Sequence, residues 1–451
     1  MYDLIVIGAG PGGYEAAAAA GRMGKKVALI EKEYIGGVCL NVGCIPAKTF
    51  LRSSRLFSEC RNAAAYGVHV SSPRFDLAAV VERKKRVVGT LTRGVETLLK
   101  RANVETIRGH ARLASRNTVQ VGGEAFQAAN ILIAAGSRPA VPPVPGIGSG
   151  RAVDSTGLLE RTEIPATLAI IGGGYIGLEF ACFFSAVGSK VTVLEMLPRI
   201  ASGCDREIAA RLEQALRKSG VVIRTSAKVT GIDGETVHYE DESGARANLE
   251  AGLILNATGR APVVDGLGLE QAGVDFDRHG IKTSDEGKTN VPGIWACGDV
   301  TGRCLLAHAA TREGIVAVNN MFGRRDRIRY EAIPAVIYTH PEVASVGKTE
   351  EELTEAGIDY RKSVVPMAVA GRFLVEHESA SGLVKVLAGA RYGEILGIHA
   401  IGDPASEFIV AAAAMIEMEM CVEDAAQIVF PHPTVSEAMK EAILRLAHQE
   451  S

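Results

Sequence analysis

Two cysteines five residues apart, Cys39 and Cys44, stand in the run Gly36-Gly37-Val38-Cys39-Leu40-Asn41-Val42-Gly43-Cys44-Ile45-Pro46-Ala47-Lys48. A dithiol of this kind suits two-electron exchange with a redox cofactor bound beside it. Metal ligation suits it less, because no second Cys/His pair stands nearby. A thiol at a helix start has its pKa lowered by the peptide dipoles, which favours the reactive thiolate. Near the other end, His432 lies between Pro431 and Pro433, with Glu437 five residues on. A histidine oriented by a carboxylate is a base able to take a thiol proton near neutral pH. The two prolines fix the backbone around it, and His432–Pro433 is a candidate cis peptide.

The elements that must hold these groups repeat. Leu4-Ile5-Val6-Ile7 runs into Gly8-Ala9-Gly10-Pro11-Gly12-Gly13, an alanine-rich helix, then Lys26 to Glu31. Leu168-Ala169-Ile170-Ile171 runs into Gly172-Gly173-Gly174-Tyr175-Ile176-Gly177, a helix, then Lys190 to Glu195. Both read strand, G-x-G-x-x-G, helix, strand, acid, at a constant offset of 164 residues. One such glycine motif is weak, but strand and helix flanks with an acid about 20 residues on give it its nucleotide-binding context. Gly8 and Gly172 make the tight turn, Gly10 and Gly174 admit a pyrophosphate, and Gly13 and Gly177 let helix and strand pack closely. Glu31 and Glu195 then accept hydrogen bonds from an adenosine ribose. Two dinucleotides are expected, beside which the cysteine pair has electrons to exchange.

Between the repeats, apolar residues at 77, 80, 81, 88, 91, 95 and 98 predict a long amphipathic helix over Asp76–Arg101 whose stripe faces the core. Asn117–Val121 and Ile131–Ser137 read as strands, and the proline-rich stretch Pro139–Pro145 marks a domain boundary. The second nucleotide unit is expected to end near Leu253–Gly259, and Gly293–Asp299 reads as a strand running into a loop acid. From about Ile333 strands and helices alternate without a nucleotide turn, a third domain. The fold class is α/β: two Rossmann-like units and a C-terminal α+β domain. The boundaries expected are 1–140 with 263–332, then 141–262, then 333–451.

The chain has 451 residues, with 49 basic against 52 acidic side chains and a formal net charge of −3. That balance excludes a broadly basic nucleic-acid binder. Eight cysteines are too sparse for a secreted disulfide scaffold. No apolar run is long enough to span a membrane, and the first residues form a strand, not a signal peptide. A reducing, cytoplasmic setting is expected. His110, His340 and His399 read as packing or surface residues.

Taken together, the Cys39–Lys48 motif, both fingerprints, Gly298-Asp299, Leu306-Ala307-His308 and His432–Glu437 resemble the pyridine nucleotide–disulfide oxidoreductases over nearly the whole length. The runs Gly36–Lys48, Leu305–Gly314 and Tyr338-Thr339-His340-Pro341-Glu342 are similar to its lipoamide branch. The resemblance implies FAD on the first fingerprint, with Lys48 near the flavin and paired with Glu179. Ala111, Ala135, Gly136, Ser137, Asp299, Leu305, Leu306, Ala307 and His308 would complete that site. It implies NAD at Gly172, Gly174, Tyr175, Ile176, Gly177, Glu179, Glu195, Val229 and Gly259. Cys39 would exchange with the substrate dithiol and Cys44 would face the flavin, the two closing as a redox-active disulfide. His432, held by Glu437, would be the acid–base, acting across a homodimer with shared sites.

The activity implied is oxidation of dihydrolipoamide with reduction of NAD⁺, in service of the lipoyl domains of a 2-oxo acid dehydrogenase or glycine cleavage complex. Two positions depart from the usual pattern: Ala135 stands in an A-A-G-S run where A-T-G-S is more usual, and Ala111 where glycine is common. Glu195 would repel a 2′-phosphate, which favours NAD over NADP, although Arg199 lies four residues later. Rival readings are a glutathione-type disulfide reductase and a non-catalytic flavoprotein. Retention of both cysteines and His432 argues against the second.

Overall fold

The computed structural model describes residues 1–378 and 381–448. The first unit is a parallel sheet in the order Glu105–Arg108, Val27–Glu31, Tyr2–Ile7, Glu124–Ile133, Ile294–Ala296. Its strands are nearly continuous apolar runs, as a sheet covered on both faces requires; Leu4, Ile5, Val6, Leu29, Ile131 and Leu132 are wholly buried. The last strand returns to this sheet from beyond residue 290. Helix Pro11–Arg22 lies against helix Ala307–Met321. Their approach depends on missing side chains: a Cβ on Gly314 would stand 2.4 Å from the Gly12 carbonyl oxygen.

The second unit repeats the plan. Its parallel sheet runs Val222–Arg224, Lys190–Leu194, Thr167–Ile171, Leu253–Asn256, Ala152–Val153. Leu4 pairs with Val27 in the first sheet and Leu168 with Val191 in the second, so register also keeps the 164-residue offset. Each unit carries an antiparallel three-stranded meander: Ala111–Ser115, Thr118–Val121 and Glu124–Ile133 in the first, Lys228–Asp233, Thr236–Glu240 and Arg246–Glu250 in the second. Ser137–Pro139, leaving the first unit, pairs with Arg260–Pro262, leaving the second. The two crossings between units therefore lie side by side, next to the Pro139–Pro145 stretch.

The C-terminal part is a five-stranded antiparallel sheet in the order Ala335–Ile337, Val343–Gly347, Ile395–Ile401, Leu383–Gly389, Tyr360–Pro366. Helices Ala405–Glu417 and Glu437–Ala447 cover one face over Val346, Val386, Ile398, Ile409 and Ile443. The opposite face joins the second unit. Val343, Leu383 and Ile401 share a core with Leu178, Phe180 and Phe183, and buried Lys385 donates to Asp205 at 2.9 Å.

The long helix spans Leu77–Arg101, with the Asp76 carboxylate capping the amide of Ala79 at 3.0 Å. Its stripe differs from the expected one. Leu91 is exposed, whereas Lys84 is buried, its ammonium bonded to the Leu159 carbonyl at 2.9 Å. A lysine whose charge finds a carbonyl can bury its apolar stem on a core face. Among the described residues no helix is long and apolar enough to cross a membrane, and no side-chain group could hold a metal ion.

Candidate active site

Both glycine turns have the geometry their motif requires. Gly8 and Gly172 adopt φ of +103° and +109°, and a Cβ there would lie 2.3 and 2.4 Å from the carbonyl oxygens of Ala134 and Ala257. A Cβ on Gly13 or Gly177 would strike the carbonyl of the first glycine at 1.9 or 2.1 Å. Gly10 and Gly174 are different: nothing lies within 4 Å of a Cβ at either. Each caps a helix with no side-chain hydrogen bond to the first-turn amides. Open space facing uncapped helix amides is what a pyrophosphate needs.

The two acids are held alike. Glu31 accepts from the amides of Ala9 and Glu33, both at 2.7 Å. Glu195 accepts from Gly173 at 2.6 Å and Leu197 at 2.8 Å. Each buried carboxylate is thus fixed by backbone amides, with Tyr34 adding a third to Glu31 at 3.3 Å, and keeps lone pairs for ribose hydroxyls. A cavity of about 60 Å³ beside Glu31 is lined by Gly8, Gly109, His110, Ala111, Ala135, Val263 and Leu267. The first fingerprint therefore fits the adenosine end of FAD. His110 is exposed and lies at this rim.

The dithiol sits at the junction of the units. Cys39 lies in the short helix Gly37–Val42, and Cys44 is the first residue of helix Cys44–Asn62. Both are free thiols. The Cys44 thiol is lowered to about 7, chiefly by its hydrogen bond with Cys39 and then by the charge of Lys48. The half-buried Cys39 thiol is pushed up, chiefly because it keeps the shared proton. Lys48, one turn beyond Cys44, donates to Glu179 at 2.8 and 2.9 Å, and Glu179 is 6% exposed. Glu179 also accepts from the amide of Tyr338 at 3.1 Å, and the Lys48 ammonium lies 4.5 Å from the Tyr338 ring centroid. One carboxylate thus joins the first unit, the second unit and the C-terminal sheet.

Ser137 and Asp299 are hydrogen-bonded, and Arg260 donates to the Ser137 hydroxyl and carbonyl at 2.7 Å each. Leu306 caps helix Ala307–Met321, and His308 Nε2 donates to the Pro334 carbonyl at 2.7 Å. Tyr175 opens the second fingerprint helix and lines a cavity of about 300 Å³ with Tyr330, Ser345 and His399. Ile176 packs against the core of the second unit, Val229 precedes a bulge in the meander, and Gly259 has φ of +118° with open space beside it.

His432 is largely exposed, and its Nδ1 lies 3.0 Å from Glu437 Oε1. Glu437 is fixed in turn by the Thr434 amide at 3.0 Å. Nδ1–H faces the carboxylate, which leaves Nε2 as the basic nitrogen. The His432–Pro433 bond is cis. Among the described residues no hydrogen bond or ion pair joins His432 to Cys39 or Cys44 of its own chain.

Arg260, Glu313 and Tyr330 were not singled out from sequence. Arg260 had a readable signal, a cation directly after Gly259 at the crossing between units; Glu313 and Tyr330 acquire meaning only from partners brought in by the fold. Of the histidines read as bland, His399 is wholly buried, and exposed His340 pairs through Nδ1 with buried Asp403.

Residues 2–314 match the pyridine nucleotide–disulphide oxidoreductase model and residues 333–443 its dimerisation domain. The chain belongs to this family. It is 43% identical to dihydrolipoyl dehydrogenase 3 of Pseudomonas aeruginosa, over 98% of this chain and 97% of that protein. It is 39% identical to the mitochondrial dihydrolipoyl dehydrogenase of Pisum sativum, over 98% and 91%. Among solved structures it is similar to LpdA of Mycobacterium tuberculosis, with a TM-score of 0.90, 26% identity and coverage of 98% and 99%.

Proposed function

We propose that the protein oxidises dihydrolipoamide, as protein-bound dihydrolipoyl groups, to lipoamide and reduces NAD⁺ to NADH, using FAD and the Cys39–Cys44 pair. The observation that carries this reading is the placing of Cys44, a thiol lowered to about 7, one turn from Lys48, whose ammonium joins the two nucleotide units through Glu179.

In the oxidised enzyme Cys39 and Cys44 form a disulfide. His432 Nε2 takes a proton from one substrate thiol, and the resulting sulfur attacks Cys39 Sγ. The Cys39–Cys44 bond breaks, and Cys44 leaves as a thiolate, favoured by its helix N-terminus and by Lys48. The second substrate thiol then attacks the mixed disulfide. Lipoamide forms, Cys39 departs, and the enzyme holds the Cys39–Cys44 dithiol. FAD, when bound at the first fingerprint, supplies the two-electron carrier between that dithiol and NAD⁺. Glu31, Ser137 and Asp299 hold it on the protein side, with Ala111, Ala135, Gly136 and the Leu305–His308 stretch; Glu195, Tyr175 and Gly259 serve NAD.

Residues 1–140 with 263–332 form the FAD domain, 141–262 the NAD domain and 333–451 the interface domain. The protein is a homodimer through the dimerisation domain. We assign His432 and Glu437 to the partner's cysteine pair, consistent with their lack of a bond to their own. Lipoyl domains of a 2-oxo acid dehydrogenase or glycine cleavage complex are the docking partners. We place the protein in the cytoplasm, where a chain with eight sparsely spread cysteines needs no structural disulfides.

The test is an anaerobic titration of the purified yellow protein with dihydrolipoamide, followed by NAD⁺. Stoichiometric NADH at 340 nm is the expected outcome. Flavin reduced by NADPH and reoxidised by glutathione disulfide, with no response to dihydrolipoamide, would replace this reading by that of a glutathione-type reductase.

A further inference from the structure

Glu313 lies in helix Ala307–Met321, one and a half turns beyond His308, and is 4% exposed. Its Oε2 accepts the Gly298 amide at 2.5 Å, and its Oε1 accepts the Tyr330 hydroxyl at 2.6 Å. No ammonium or guanidinium forms an ion pair with it among the described residues. Burial raises its pKa, and the two hydrogen bonds, then the charge of Arg303, oppose that shift. A buried carboxylate with no ion-pair partner is costly, so its place must be set by what it holds.

It holds the turn that carries Asp299. Gly298 begins the short turn Gly298–Thr301 at φ of +75°, with its amide on Glu313 and its carbonyl on the Thr301 hydroxyl at 2.9 Å. The next residue, Asp299, is bonded to Ser137, which Arg260 holds in turn. On the other side, Tyr330 has the Arg303 guanidinium 4.1 Å from its ring centroid and lines the cavity shared with Tyr175. Glu313 therefore fastens the Asp299 turn to the same helix whose first residues are the other flavin candidates.

We infer that Glu313 is a positioning residue for FAD: its buried carboxylate, steadied by Tyr330, holds the Gly298–Asp299 turn in its flavin-binding shape. The inference rests on the reading of the first unit as the FAD domain. Without FAD the turn can relax when Glu313 is lost, whereas with FAD it must be held, so the loss falls on the bound form. A buried amide left without its acceptor costs on the order of a tenfold change in a binding constant.

The experiment compares FAD affinity in the full-length wild type, Glu313→Met and Glu313→Gln, by stripping the flavin, adding it back and following fluorescence quenching. Melting temperature is measured with and without FAD. Met has a similar volume and offers no strong acceptor. Gln can accept the Gly298 amide through its oxygen and donate to the Tyr330 hydroxyl through its nitrogen. Expected are roughly tenfold weaker FAD binding for Glu313→Met and affinity within threefold of wild type for Glu313→Gln. The melting temperature without FAD should match wild type in both.

Equal affinity of Glu313→Met and wild type overturns the inference, as does an equal loss in both variants or a matching loss of stability without FAD. If Glu313→Met does not fold, Tyr330→Phe decides: roughly fivefold or greater weakening of FAD binding supports the inference, and affinity within about threefold of wild type overturns it. A wild type that takes up no FAD at all would instead sink the FAD reading itself.

Discussion

Lys48 Nζ lies 2.8 Å from Glu179 Oε2, joining the helix that begins at Cys44 to the helix that begins at the second fingerprint. The hydrogen bond from Cys39 does most to bring the Cys44 thiol down to about 7; the ion pair adjusts it further, Lys48 lowering the pKa and Glu179 raising it. Alkylation of Cys44 by iodoacetamide in the reduced protein should therefore rise through a midpoint near pH 7, because only the thiolate reacts. Lys48→Met should move that midpoint upward and Glu179→Gln downward, read by mass-spectrometric labelling at Cys44. A midpoint that neither change moves would separate the ion pair from the thiol.

His432 and Glu437 give a different signature, because among the described residues neither forms a hydrogen bond or ion pair with a candidate nucleotide residue of its own chain. His432→Gln should keep FAD content and melting temperature while lowering dihydrolipoamide turnover by roughly 10²–10⁴-fold, the usual size of a general-base contribution. Glu437→Gln keeps an acceptor for Nδ1–H and should lose less. The check is a steady-state assay beside the visible spectrum; a His432→Gln enzyme that turns over like wild type would return this histidine to a surface role.

The choice of nucleotide is expected to rest on the second acid. Glu195, fixed by the amides of Gly173 and Leu197, would stand against a 2′-phosphate. Arg199 does not offset it, because its guanidinium is turned to the Ser202 carbonyl at 2.8 Å. NADP⁺ should therefore support less than about a hundredth of the kcat/KM seen with NAD⁺, close to the worth of one such repulsive contact. Glu195→Ser should narrow that ratio, measured with both nucleotides at saturating dihydrolipoamide.

How far the chain could be read beforehand follows from distance along it. Strand, turn, helix and acid lie within some 30 residues of each other, so their period and spacing carry the fingerprint, and Glu31 and Glu195 fall where that spacing put them. Cys44 at a helix start was legible for the same reason. Lys48–Glu179 was available only through family resemblance, since 131 residues separate the partners. Glu313, Tyr330 and Arg260 went unmarked because a buried carboxylate or an interunit cation has no local pattern; its partners come from other elements. The helix stripe erred at Leu91 and Lys84, where apolar spacing cannot show that a lysine will find a buried carbonyl.

The glycines allow fold and ligand binding to be separated within one turn. Gly8 needs positive φ and meets a carbonyl 2.3 Å from any Cβ, so Gly8→Ala should lower stability by more than the roughly 1–3 kcal/mol that backbone strain alone costs. Gly10 has φ of −70° and open space beside it. Gly10→Ala should therefore fold with an unchanged melting temperature when FAD is absent, yet purify colourless, because its methyl group fills the space a pyrophosphate would take. Gly174→Ala carries the same logic into the second unit: it should stay yellow and accept electrons from dihydrolipoamide, but fail to pass them to NAD⁺. Apoprotein melting temperatures and bound flavin together decide the matter. If Gly10→Ala stays yellow, the phosphate lies elsewhere; if it unfolds, the open space beside Gly10 is needed by the chain itself.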